Sequence, residues 1–393
     1  MGPPLTASAT SAPCDAPPAR LVTTAMPGDE HDDRPYWVLL STVSGIGPTR
    51  FTRLLELCGS ARAAWHASEP QLRAAGVERP SIACLQRLRS ATTLHQLTGR
   101  LQREQIGVLT LLDDAYPAAL REIADPPPVL FVRGRLTEAD RVAVALVGTR
   151  RATPYGRAVA ERLAADLARA GITVVSGLAR GIDTFAHRAA LSAGGRTIAV
   201  LGSGLDQVYP AENTLLARRI LAPDAGALVA EFPPGVPPDA VNFPRRNRII
   251  AGLARATVIV EADLRSGALI TAEFALEQGR EVLAVPGSIL SGMSAGPNEL
   301  IRQGAAPATS ADDILEALGL TGKPLAETGR QPPLALLDAD ETAMLGALGQ
   351  EPRHVDELAR HLGQPAGRIS AHLASLEVKG LARQVGALAY VRT

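Results

Sequence analysis

The segment from Val241 to Leu253, VNFPRRNRIIAGL, holds the residue types best suited to binding chemistry. Its polar part joins one aromatic ring with three arginines and an asparagine: Phe243, Arg245, Arg246, Asn247 and Arg248. A guanidinium group binds phosphate well, and a neighbouring aromatic face can stack a nucleobase. An apolar helical start follows from Ile249. The segment alone is equally compatible with a phosphate-binding element and with a solvated loop that precedes this helix.

Short apolar runs that alternate with amphipathic helices indicate the framework of such a site. The runs cover residues 142–147, 173–175, 197–201, 226–230, 257–260 and 281–285. Among the helices between them, residues 156–170 place Val159, Leu163 and Leu167 four residues apart on one face. Apolar strands separated by helices form a parallel sheet that is covered on both faces. We therefore predict an α/β fold with a Rossmann-like, doubly wound central domain over residues 137–320.

Glycine and polar residues follow almost every one of these strands. In a doubly wound sheet, ligands bind outside the carboxyl ends of the strands, where glycine lets amides approach a phosphate and the next helix adds its positive end. The candidates at this edge are Gly148, Thr149, Arg150, Ser176, Gly177, Gly202, Gly204, Tyr209, Pro210, Asn213, Ser266 and Gly267. Together they predict one anion-binding rim, although Ser266 could also serve only as a helix cap.

The first of these turns argues against a dinucleotide cofactor. The residues Gly148-Thr149-Arg150-Arg151 place arginines where a GxGxxG motif has glycines, and the sequence contains no Walker A motif. Asp183 and His187 are four residues apart and could share a helix face for acid–base chemistry, but helix capping by Asp183 is the favoured interpretation. We expect no catalytic residues, no metal and no cofactor.

Composition limits the class of protein. The 393 residues are 46% hydrophobic, and 40 basic residues balance 40 acidic ones, so any polyanion binding depends on local clusters. The cysteines Cys14, Cys58 and Cys84 form no CxxC motif, which is typical of a reducing, cytoplasmic location. No apolar run reaches about 18 residues, so we expect no membrane span.

Four segments flank the central domain. Residues 1–34 are rich in Pro, Ala, Ser and Thr and predict a disordered leader, and residues 321–334 predict a linker. Residues 35–136 predict a helical domain with a short strand at 129–133 near its end. In this domain Ser44-Gly45-Ile46-Gly47-Pro48 is either a SAM or helix-hairpin-helix element or a plain helical turn. Residues 335–393 predict a winged helix of three helices and a hairpin, whose third helix points Ile369, Leu373 and Leu376 inward.

Five motifs of the central domain resemble the DNA-processing protein A family, also called Smf. In order between Val144 and Gly287, they are VALVGTR, VVSGLARGIDTFAH, AVLGSGLDQVYPAEN, NFPRRNRIIAGL and VIVEADLRSGALITAEFALEQGREVLAVPG. The resemblance implies a single-stranded DNA-binding protein that protects incoming strands and helps load the RecA recombinase in natural transformation and homologous recombination. It also implies a homodimer formed through the Rossmann-like domain.

The same resemblance implies where DNA binds. The family's pocket corresponds to Gly148, Arg150, Tyr209, Pro210, Phe243, Arg246, Asn247 and Arg248. Some relatives carry a lysine where this chain has Ala211, so part of the basic contact is either weaker in this chain or supplied by Arg245 instead. With about three or four phosphates neutralised, the logarithm of affinity should fall with the logarithm of salt at a slope of about −2 to −3.

Two alternatives remain open at this stage. An enzyme that acts on a nucleotide could use the same glycine-rich rim. The winged helix could bind duplex DNA, as it does in regulators, although few basic residues of its third helix point outward, which favours a protein-contact or accessory role.

Overall fold

The computed structural model describes residues 33–91, 94–320, 339–349, 353–378, 381–386 and 388–392. The expected leader lies outside them up to residue 32, and so does the whole of the expected linker at 321–334. The chain divides into two compact units, Met1–Glu327 and Thr328–Thr393. The division falls inside the segment predicted as a linker.

The described residues between 33 and 103 form six helices of the first unit. They are α1 (Arg34–Ser41), α2 (Pro48–Cys58), α3 (Ala61–His66), α4 (Glu69–Ala74), α5 (Arg79–Ala91) and α6 (Leu94–Arg103). Buried side chains such as Trp37, Leu40, Phe51 and Leu54 form their core, which is continuous with one face of the sheet described next. Gly45 adopts a φ of 86° between α1 and α2, where glycine is the least strained residue.

A nine-stranded sheet forms the centre of the unit in the order β1-β2-β6-β5-β4-β3-β7-β8-β9. The strands are β1 (Gly107–Thr110), β2 (Val129–Gly134), β3 (Ala143–Val147), β4 (Thr173–Ser176), β5 (Thr197–Val200), β6 (Gly226–Ala230), β7 (Ala256–Ile259), β8 (Glu281–Ala284) and β9 (Ala306–Pro307). The strands from β3 to β9 pair in parallel. The antiparallel strands β1 and β2 join at β6. The sheet therefore begins inside the block predicted as a helical domain to residue 136, because β2 pairs with β6 and β1 pairs with β2.

Helices cover both faces of this sheet. They are α7 (Ala118–Arg121), α8 (Pro154–Arg169), α9 (Ile182–Ser192), α10 (Thr214–Ile220), α11 (Asn242–Leu253), α12 (Gly267–Glu277), α13 (Ala295–Arg302) and α14 (Ala311–Ala317). Strand β3 shows the two layers, since Val144 and Leu146 pack with the α8 side while Ala145 and Val147 pack with the α11 side. The predicted doubly wound α/β fold is confirmed, and the strand order reverses between β3 and β7.

The second unit is the predicted winged helix. Its elements are α15 (Ala339–Ala347), β10 (Arg353–His354), α16 (Val355–Leu362), α17 (Ala366–Val378), β11 (Ala382–Gly386) and β12 (Ala389–Arg392). Ile369, Leu373 and Leu376 of α17 are fully buried, as expected from their spacing. In neither unit is any described helix both long and apolar enough to cross a bilayer.

Candidate nucleic-acid interface

A pocket of about 200 Å³ opens where the strand order reverses. It is lined by residues that follow β3 and β4, by the first turns of α11, and by the turn that begins α12. Of the residues predicted from the sequence, it brings together Gly148, Arg150, Phe243, Arg246, Asn247, Ser266 and Gly267. Ligands of doubly wound proteins bind at this position of the sheet.

Helix α11 begins at Asn242, seven residues before the apolar start expected at Ile249. The basic cluster is therefore part of the helix and does not form a loop before it. Pro244 does not break the helix, because a proline in the first turn removes no internal hydrogen bond. Helical geometry turns Arg246 inward while Arg245 stays exposed.

Arg246 is the most deeply engaged side chain of the site. It is 4% exposed, and its Nη1 donates to the carbonyl oxygen of Gly177 at 2.6 Å and to that of Val200. Its Nε donates to Oδ1 of Asn247 at 3.1 Å. Burial lowers the pKa of this guanidinium to about 10, against the opposing effect of Asp183. These bonds join α11 to the carboxyl ends of β4 and β5.

Arg248 and Arg245 do not line the pocket. The buried Arg248 forms ion pairs with Glu231 at 2.5 Å and with Asp125 at 3.0 Å. Burial raises the pKa of the Glu231 carboxyl, which Arg248 opposes. The guanidinium of Arg245 lies 5.2 Å from the ring centroid of Phe232. Both arginines thus have protein partners on another side of α11.

An aromatic pair with an arginine forms the mouth of the pocket. The rings of Phe243 and Tyr209 lie 5.8 Å apart at an angle of 43°, and the guanidinium carbon of Arg150 is 5.0 Å from the Phe243 centroid. A Cβ added to Gly202 would be 3.0 Å from the Phe243 ring, so the glycine lets the ring lie close to the backbone. Tyr209 is 41% exposed. The mouth therefore presents a π surface and a cation to solvent.

The other predicted residues after β4 and β5 shape the loops without lining the pocket. The hydroxyl of Ser176 donates to the carbonyl of Leu146 at 2.7 Å, and the side-chain amide Nδ2 of Asn213 donates to the carbonyl of Leu178 at 2.9 Å. The loop residues Gly177, Gly202, Gly204 and Pro210 are buried. None of these four residues lines the pocket.

The turn after β3 carries the exposed charge. The amide of Thr149 donates to the backbone carbonyl of Glu261 at 2.7 Å, which anchors this turn to the end of β7. Arg150 and Arg151 are exposed, and so is Arg265 before α12. Across the described ranges none of these three arginines forms an ion pair. Neither Arg151 nor Arg265 was among the predicted site residues, although each adjoins a predicted rim turn.

The amino end of α12 adds a second source of positive potential. Ser266 caps this helix, since its hydroxyl oxygen accepts a hydrogen bond from the amide of Ala268 at 3.3 Å. Ser266, Gly267 and Ala268 nevertheless line the pocket, so the helix begins at the pocket wall. A helix amino terminus attracts anions through its free amides and its dipole.

Asp183 lines the pocket without capping its own helix. Its Oδ2 accepts from the amides of Gly177 at 3.1 Å and Ala179 at 3.3 Å, so it holds the loop before α9. Burial raises the pKa of this carboxyl, and Arg246 opposes that effect. His187 is fully buried and lies outside the pocket. The pair is not arranged for proton transfer to a ligand in the pocket.

The architecture and site define a doubly wound α/β protein with a basic, aromatic-edged pocket at its switch point. Residues 107–319 match the family model described as DNA recombination-mediator protein A, and residues 328–387 match the DprA winged helix domain. The chain belongs to the DNA recombination-mediator protein A family, and its role is accordingly in DNA processing and recombination.

Similar proteins span most of the chain. It is 35% identical to "Protein Smf" of Synechocystis over 397 aligned positions, which cover 92% of this chain and 99% of the relative. It is 47% identical to the "Putative DNA processing protein DprA" of Mycobacterium tuberculosis over 72% of this chain and 76% of that one. The crystal structure of DNA processing protein A from Streptococcus pneumoniae superposes with a TM-score of 0.62 at 37% identity, over 72% of this chain and 97% of the other.

Proposed function

We propose that this protein binds single-stranded DNA at the pocket and its rim and acts without catalysis. In this role it protects incoming strands and helps load the RecA recombinase onto them in natural transformation and homologous recombination. We further propose that it acts in the cytoplasm as a homodimer formed through the Rossmann-like domain. Membership of a recombination-mediator family supports the proposal.

One observation carries the choice of ligand: Arg150, Phe243 and Tyr209 meet at the pocket mouth. A base can reach an aromatic face only when it is not paired and stacked in a duplex, so this combination favours a single strand. Arg150 lines the pocket, and the exposed Arg151 and Arg265 each adjoin a residue that lines it, so these three arginines are our candidates for phosphate contacts on either side of a stacked base. Three neutralised phosphates predict a salt slope of about −2, at the low end of the expected range.

The alternative of a nucleotide-processing enzyme is less well supported. Its best acid–base candidates are Asp183, which is engaged with backbone amides, and His187, which is buried away from the pocket. Detection of turnover of any nucleotide by the wild-type protein would restore this alternative.

Fluorescence anisotropy with a labelled oligothymidylate, titrated at several salt concentrations, tests the proposal. We expect Phe243→Ala to weaken binding by roughly tenfold with an unchanged slope, because it removes one base stack worth about 1–3 kcal/mol. Arg150→Ala should weaken binding and make the slope shallower by about 0.7, because one phosphate contact is lost. Arg255→Ala is the matched control, since this exposed arginine precedes β7 at the opposite edge of the sheet.

Three results would contradict the proposal: binding that is insensitive to salt, preference for duplex DNA, or wild-type affinity in both pocket variants. Sedimentation of the protein alone tests the homodimer. Loading is tested by whether the protein shortens the lag before RecA filaments form on a strand coated with a single-strand-binding protein.

A further inference from the structure

Arg246 was predicted as a DNA contact, but its bonds describe another task. We propose that Arg246 is a positioning residue, which clamps the first turn of α11 to the ends of β4 and β5 and so holds Phe243 in place to stack a base. The choice of DNA as ligand rests on the proposed function. The clamp itself is a property of the free protein.

The hydrogen bonds of the guanidinium lead inward. Nη1 donates to two carbonyl oxygens, of Gly177 and Val200, and Nε donates to Asn247. The side chain is 4% exposed, so it offers almost no surface to a phosphate. Nη1 and Nε are occupied by these bonds, so a phosphate could engage either of these two nitrogens only at the expense of bonds within the protein.

Gly177 provides independent support for the clamp. A Cβ at this position would lie 2.3–2.4 Å from three atoms of the Arg246 guanidinium, which is closer than real Cβ contacts. Gly177 is also buried, so its lack of a side chain creates room for the arginine rather than for a ligand's approach. Gly177, which was predicted from the sequence as part of the DNA-binding rim, therefore packs against Arg246 within the protein.

The clamp acts on Phe243 because the two residues are three positions apart on one helix. Residues at this spacing are neighbours on the helix surface. The Arg246 guanidinium carbon is 5.9 Å from the Phe243 centroid, while Gly202 lies against the edge of the ring. With α11 fixed at Arg246, the ring is held beside Tyr209 and Arg150 before DNA arrives. Preorganisation of this kind lowers the entropic cost of binding.

Variants that loosen the clamp should differ from variants that lose a phosphate contact. Gly177→Ala displaces the guanidinium without changing any charge. Arg246→Lys keeps the charge but replaces the planar fork, whose donors lie on two separate nitrogens, with a single ammonium nitrogen. We expect both to weaken oligothymidylate binding by about tenfold, the loss of one stack, with the wild-type salt slope. Arg150→Ala should instead make the slope shallower by about 0.7.

A spectroscopic measurement separates positioning from general damage. An oligonucleotide that carries 2-aminopurine loses fluorescence when that base stacks on an aromatic ring. At saturating protein, the quench should be smaller for Gly177→Ala and Arg246→Lys, and normal for Arg255→Ala. Unchanged far-ultraviolet circular dichroism and a cooperative thermal transition identify the variants that are folded.

Hydrogen exchange on the free protein tests the clamp without DNA. We expect amides at 242–247 to exchange at least tenfold faster in Gly177→Ala and Arg246→Lys, with the later turns of α11 unchanged. The clamp would be overturned if Gly177→Ala showed the hydrogen exchange and the fluorescence quench of the wild type, or if the salt slope of Arg246→Lys matched that of Arg150→Ala. Neither result would contradict single-strand binding. A wild-type protein that binds no single strand would instead remove the proposed function, and the exchange data would still decide the clamp.

Discussion

His187 is a buried neutral base whose protonation is linked to the stability of the first unit. Thr197 donates its hydroxyl proton to the carbonyl of Val174 at 2.7 Å, so its oxygen accepts a bond from Nδ1 of His187, also at 2.7 Å. Nε2 therefore carries the lone pair, and this buried atom has no partner among the described residues. Burial, with a further contribution from the charge of Arg246, lowers the pKa of His187 to about 3.

The lowered pKa predicts a loss of stability on acidification. Below the ordinary pKa of about 6.5 the unfolded chain binds a proton that the folded chain does not, so His187 lowers the free energy of unfolding as pH falls from 6.5 towards 3. In this pH window the free energy of unfolding of His187→Gln should fall less steeply with pH than that of the wild type, by up to about 1.4 kcal/mol per pH unit. Denaturant unfolding followed by the fluorescence of Trp37 and Trp65, the chain's two tryptophans, measures this for the first unit. Parallel pH profiles would contradict the assignment.

The residue types of the site were predictable, but the direction of each side chain was not. Arg150 and Phe243 were predicted as DNA contacts, because a turn after a parallel strand and an aromatic beside arginines are both typical of ligand sites, and both residues line the pocket. Arg246 and Arg248 looked equivalent in the sequence. Only the start of α11 at Asn242 determines that both are buried and partnered inside the protein.

At the scale of elements, the turn between β3 and α8 is held from β7. Both carboxylate oxygens of Glu261 accept bonds from Thr153, one from its amide at 2.9 Å and one from its hydroxyl at 2.5 Å. Thr153 in turn caps α8 by accepting a bond from the amide of Gly156 at 3.1 Å. The turn that presents Arg150 is therefore anchored by one buried carboxylate.

This anchor predicts that Gly156 cannot be enlarged. A Cβ on Gly156 would lie 2.0 Å from the Glu261 carboxylate, so Gly156→Ala must displace the cap and the turn before it. We expect a loss of about 1–3 kcal/mol in the free energy of unfolding, together with weaker DNA binding. Gly99→Ala is the matched control: it lies inside α6 with open space around its Cβ, and should gain up to about 1 kcal/mol. Equal thermal transitions for the two variants would refute the steric argument.

The order of elements was easier to predict than their boundaries. Strands β3 to β8 were recognised within one residue at each end, because each is a buried apolar run between helices. Residues 129–133 were predicted as a short strand and form β2, but β1 was missed. The pairing of both strands with the sheet was also missed, because a short run acquires a sheet partner only through tertiary contact with a strand such as β6, far along the chain.

At the scale of the whole molecule, the charge is local rather than global. Basic and acidic residues balance at 40 each, so attraction of a polyanion depends on the three unpaired arginines around the pocket and on the amino end of α12. Such a short-range arrangement is screened by salt within about 10 Å at 0.1 M ionic strength. Single-strand binding should therefore be a property of the first unit alone.

Removal of the winged-helix unit tests that independence. In α17, the guanidinium of Arg368 forms an ion pair with Asp340 at 2.9 Å. A basic side chain that could contact duplex DNA is therefore already paired within the protein. We expect a chain that ends at Glu327 to bind oligothymidylate within about twofold of the full chain, and Arg150→Ala to cost the same factor in both, because changes at independent sites have additive effects. A more than tenfold loss on truncation, or an Arg150→Ala effect that differs between the two lengths, would show that the second unit contributes to the strand-binding surface.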